Sequence, residues 1–112
     1  MRWSFEAFIE DPVTHSFFRP ETGRPPSDAD ATRLVDRMLQ DLRSKHKGFD
    51  VDGSFALTKA GGRIAYAARV VGTVEAEDMV AAATLVSQRL TPAIATAGAD
   101  YREANYYFWP AP

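Results

Sequence analysis

Apolar and small residues alternate on both sides of Gly61-Gly62, and the two alternations run in step across that pair. With Ala60 and Arg63 flanking a two-residue turn, Leu57 falls opposite Tyr66 and Phe55 opposite Ala68 on one face of a hairpin. Ala56 then meets Ala67, and Ser54 meets Arg69, on the other face. Side chains alternate strictly along a strand, so a slip of one residue exchanges the two faces throughout. A hairpin over roughly Val51 to Lys59 and Arg63 to Thr73 is therefore the constraint that the remaining segments must satisfy.

Upstream, Trp3, Phe5, Ala7 and Ile9 alternate with Arg2, Ser4, Glu6 and Glu10, a first strand with one apolar face, Phe8 being the exception on its polar side. A connection at about 11–26 carries Pro12, Pro20, Gly23, Pro25 and Pro26 and no periodicity, and is longer than most strand-to-helix loops. Its middle, His15 to Arg19, is a candidate for a short extra strand. Ser27 is a suitable N-cap, with Asp28 and Asp30 placed to complement the helix dipole. Ala31, Leu34, Val35, Met38, Leu39 and Leu42 then recur at helical spacing. Lys45, His46 and Lys47 lie before Gly48, a C-terminal signal.

Beyond the hairpin, Glu75, Glu77 and Asp78 open a second helix with an expected stripe of Met79, Val80, Ala83, Val86, Leu90, Ile94 and Ala97. Pro92 lies nearly opposite Leu90 on a helical projection, so a bend is expected there rather than a break. Gly98 ends the helix. A last strand, about Arg102 to Trp109, sets Ala104, Tyr106 and Phe108 against Glu103, Asn105, Tyr107 and Trp109. The order is strand, helix, strand, strand, helix, strand. Right-handed crossovers applied twice place the first and third strands in the centre and both helices on one side. The expected fold is a ferredoxin-like α+β sandwich, with sheet order 4-1-3-2 and a single domain over residues 1–112. This architecture hosts many unrelated functions, so function must be argued from its surfaces.

Composition narrows the classes. The chain has 112 residues, no cysteine and a net charge of -2. Disulfides, thiolate metal sites and a thiol nucleophile are excluded, and a reducing, cytoplasmic setting is expected. The N-terminal segment has no unbroken apolar run, so neither a signal peptide nor a membrane span is expected. Basic and acidic residues are mixed along the chain, which disfavours a nucleic-acid partner. Base stacking by an RNA-recognition sheet needs aromatics on the two central strands. The third strand offers Ala65, Ala67 and Arg69 there instead.

The helix-free face carries the candidates. Glu6, Phe8, Arg69, Asn105, Tyr107 and Trp109 share it, with large aromatics on an edge strand beside small residues on the third. A protein interface is the expectation, formed with a second copy of the chain or with another protein. The alternative is a small-molecule-binding protein or cofactor-free enzyme of the dimeric α/β-barrel type, with Glu6, Arg69, Asn105 and Tyr107 lining a pocket between two sheets. In the long loop, His15, Phe17, Phe18 and Arg19 are candidate anchors for a partner groove, unless Phe17 and Phe18 fold back over the sheet. His15 and His46 share no ligand spacing, so no metal is assigned. Ser16 beside His15 is not a triad signal, and Gly61-Gly62 lacks the Lys-Ser/Thr ending of a phosphate loop. No cofactor and no catalytic residue is assigned.

Overall fold

Strict alternation across Gly61-Gly62 yields the register it implies. In the computed structural model, which describes residues 1–10, 18, 27–60, 63–98 and 104–112, Ala60 pairs with Arg63, Leu57 with Tyr66, Phe55 with Ala68 and Ser54 with Arg69. The elements are β1 (Arg2–Ile9), α1 (Asp28–Lys45), β2 (Asp50–Ala60), β3 (Arg63–Glu75), α2 (Met79–Ala97) and β4 (Ala104–Pro110). They form one antiparallel sheet in the order β2-β3-β1-β4, the expected order read from the other edge. The fold is the ferredoxin-like α+β sandwich, with α1 lying over β2 and α2 nearer β4.

Helix ends follow the local chemistry. The Ser27 hydroxyl accepts from the Asp30 backbone N–H at 3.3 Å and donates to the Asp30 carboxylate at 2.9 Å, closing the first turn of α1. Asp78 does the same for α2, accepting from the Ala81 N–H at 2.8 Å, so the helix begins after Asp78 and Glu75 ends β3 instead. Gly98 closes α2 in the left-handed region at φ 86°, where a side chain would be strained. α2 runs unbroken through Pro92, which is exposed, as its place on the helical projection requires.

The core lies between helices and sheet. Phe5 is almost wholly buried and sits between two other rings, Phe49 at 5.9 Å and Phe108 at 6.2 Å between centroids. Gly72, its cross-strand partner, makes room for this layer: a Cβ there would lie 2.9 Å from the Phe5 ring and collide with the Asp50 carbonyl oxygen. On β2, Gly53 similarly admits α1, since a Cβ would stand 3.4 Å from both Val35 and Leu39.

Three details differ from the sequence expectation. The buried stripe of α2 is Ala82, Val86, Leu90, Ala93, Ile94 and Ala97, while Met79 and Val80 are exposed. Val80 is two residues from Ala82 and so nearly opposite it on the helix. Leu57 is 55% exposed despite its place on the apolar face. The hairpin continues past the last β1–β3 pair, Ile9 with Ala68, so Leu57 belongs to an arm reaching beyond β1. On the opposite side of that arm, Ala65 and Ala67 are buried apart from the main core, so the shallow open surface expected there is not exposed.

Candidate functional site

Register places the sequence-derived candidates in three adjacent rows across the helix-free face. Asn105, Phe8, Arg69 and Ser54 form one row across β4, β1, β3 and β2. Tyr107, Glu6, Val71 and Asp52 form the next, followed by Trp109, Ser4, Thr73 and Asp50. Neighbouring residues on one face of a sheet stand close enough to interact directly or along the diagonal.

The centre of the face is an ion pair. Arg69 donates to one oxygen of Glu6 from Nε at 3.1 Å and from Nη2 at 2.6 Å. The pair is diagonal, since Glu6 sits opposite Val71 and Arg69 opposite Phe8. Side-chain exposure is 42% for Arg69 and 23% for Glu6, so the contact is half-wet. Towards one end of the same face, Thr73 donates to Asp50 at 3.4 Å and accepts from Arg2 at 3.3 Å.

The rim is aromatic and open to water. Tyr107 is 56% and Trp109 45% exposed, whereas Tyr106 and Phe108 on the reverse side of β4 pack against the core. Phe8 is half-buried and Asn105 exposed. Among the described residues β4 pairs with β1 alone, so its outer margin is a sheet edge. The six candidates of this face are therefore brought together as one patch.

The loop candidates fare differently. Phe18 is a core residue, 6% exposed with its ring 6.0 Å from that of Tyr66, and so is not free to anchor a partner. It packs on the side of Tyr66, away from the helix-free face. His15, Phe17 and Arg19 lie outside the described residues. His46 is the C-cap of α1, its backbone N–H donating to the Leu42 carbonyl, with its ring edge-on to Phe49 at 6.3 Å.

Tyr66 joins β3 to the start of α1, its hydroxyl donating to the Asp28 carboxylate at 2.6 Å. That hydrogen bond, assisted by burial and by the charges of Asp28 and Asp30, raises the Tyr66 pKa above the usual 10.0. Among the described residues no group of three or more His, Asp or Glu converges on one point. No helix among them is long and apolar enough to cross a membrane. The patch can therefore bind through its rings and orient a polar group through Glu6 and Arg69.

A cleft at one end of the sheet was not indicated by any spacing in the sequence. Its walls come from β1, the α1–β2 connection, the end of β3 and α2, which only the folded chain brings together. Comparison with protein families, with known proteins and with solved structures finds no match.

Proposed function

We propose that the protein is a non-catalytic binding and assembly module that pairs with a second copy of itself through the helix-free face of its sheet. The exposure of Tyr107 and Trp109 on an edge strand, on the same face as Phe8, is the observation that supports this reading. Aromatic rings contribute much of the energy of protein interfaces, and two-fold pairing lets each ring be buried twice over in the assembly. Electrostatics favour a second copy. Glu6 and Arg69 neutralise each other at the centre of the patch, so the centres of two identical faces meet without an unpaired charge.

A related reading follows from the same ion pair. Should the two sheets stand apart rather than in contact, Glu6, Arg69, Asn105 and Tyr107 would line the space between them and orient a small polar ligand. Both arrangements are non-covalent and need the same face.

Hydroxyl-radical footprinting over a range of protein concentrations tests the reading. Tyr107 and Trp109 should become protected as concentration rises, while Met79, exposed on α2, should not. Equal labelling of Tyr107 and Trp109 at every concentration would overturn self-pairing through this face.

A further inference from the structure

The cleft at the end of the sheet has a volume of about 370 Å³, within the size range of small-molecule sites. Its lining is mainly polar, and its apolar side chains are Leu85, half-buried, and the buried Phe49 and Val74 beneath. Arg89 projects from α2 over the Phe49 ring, its guanidinium carbon 4.7 Å from the ring centroid. Stacking on an aromatic face holds a guanidinium flat and leaves its in-plane N–H groups for a planar acceptor.

No such acceptor is bound to Arg89 among the described residues. Neither Arg89 nor Lys47 has an ion-pair partner among the described residues. The two carboxylates that line the cleft are engaged by other cations. Asp50 takes Arg2 at 3.8 Å and the Thr73 hydroxyl at 3.4 Å, and Glu75 takes the chain's amino group at 3.7 Å. Three cationic side chains (Arg2, Lys47 and Arg89) line the cleft against two carboxylates (Asp50 and Glu75), one of which the chain's amino group also engages, so positive charge is in excess there in a chain whose net charge is -2.

We propose that this cleft binds a small monocarboxylate with an apolar body, its carboxylate held by Arg89 and Lys47 and its body resting on Val74 and Leu85. Arginine and carboxylate pair through two parallel hydrogen bonds, which suits a guanidinium already fixed in plane. A singly charged ligand is favoured over a phosphate dianion. Asp50 and Glu75 border the cleft, and the connection carrying Lys47 follows the carbonyl end of α1, so both surroundings repel additional negative charge. The cleft shares Asp50 and Thr73 with the last row of the helix-free face, but Arg89, Lys47 and Leu85, which would hold the ligand, lie outside that face.

Titration of the full chain with phenylacetate, followed by backbone amide NMR at neutral pH, tests the assignment. Benzyl alcohol serves as the neutral probe of similar shape, and inorganic phosphate as the dianion. Saturable phenylacetate binding is expected, with the amides of Lys47, Phe49 and Arg89 shifting together. Benzyl alcohol and phosphate should each bind about tenfold more weakly or worse, and Arg89→Gln should weaken phenylacetate by about the same factor. Lys47→Gln, at an exposed position, should weaken it about threefold and keeps the test valid if Arg89→Gln disturbs folding. The assignment is overturned by benzyl alcohol or phosphate binding as tightly as phenylacetate. It is equally overturned if phenylacetate fails to saturate at millimolar concentration, or if Lys47→Gln leaves its binding unchanged.

Discussion

Glu6 and Arg69, 63 residues apart in the chain, meet through two hydrogen bonds to a single carboxylate oxygen. They are neighbours because β1 and β3 lie side by side in the centre of the sheet, and the contact is available only in the observed register. Partial exposure keeps its value small. A double-mutant cycle with Glu6→Gln and Arg69→Met, read by urea unfolding, should give a coupling of about 0.5–1 kcal/mol. It should shrink at high salt, as a half-wet ion pair does.

Close backbone approach predicts a large effect from a small substitution. At Gly72 an added methyl meets both a carbonyl oxygen and the buried ring of Phe5. Gly72→Ala should cost about 2–4 kcal/mol in chemical denaturation. Gly53→Ala meets the Arg69 carbonyl at 2.9 Å but otherwise only flexible side chains of α1, so it should cost less. Equal losses at the two positions would contradict the packing described.

Trp3 carries the opposite problem. Its side chain is buried, and Nε1 has no hydrogen-bond partner among the described residues. An unsatisfied buried donor costs about 1–3 kcal/mol, which offsets much of the volume lost on shortening the ring. Trp3→Phe should therefore fall within about 1.5 kcal/mol of the parent chain, whereas Trp3→Ala should lose about 3–5 kcal/mol. Thermal and urea unfolding of both variants distinguishes them.

Alkaline stability follows from the tyrosines. The Tyr66 hydrogen bond to Asp28 stabilises the neutral phenol, as burial does for Tyr106 against the lowering effect of Ser87. Both folded-state values lie above the ordinary 10.0, so above that pH the unfolded chain has released protons that the folded chain still holds. This contribution is fully present below pH 10.0 and is lost as pH rises through the raised folded values. Unfolding free energy measured across that range should fall less steeply for Tyr66→Phe than for the parent chain.

Much of this architecture was legible in the residues because one register dominates. Once Ala60 is set opposite Arg63, period-two alternation assigns Ser54, Arg69 and every other hairpin residue to a face, and β1 follows from Trp3, Phe5, Ala7 and Ile9. The six candidates of the open face come from that same alternation, and Tyr107 does lie opposite Glu6. What alternation cannot convey is where one element ends relative to another. Leu57 has an apolar neighbour pattern yet is exposed, because the hairpin outruns β1. Met79 and Val80 look like part of the α2 stripe but occupy its uncovered first turn. Phe18 resembles a loop anchor by composition, but it is buried beside Tyr66, a tertiary contact that composition does not convey. The stacking of Arg89 on Phe49 had no local signal, since the two residues belong to different elements.

Self-pairing through the aromatic edge is tested most directly by sedimentation equilibrium over a wide concentration range. The wild-type chain should move from the mass of one chain towards that of two, and Tyr107→Asp combined with Trp109→Asp should hold it at one. A wild-type chain that stays monomeric throughout, or a dimer indifferent to both aspartates, would contradict the account.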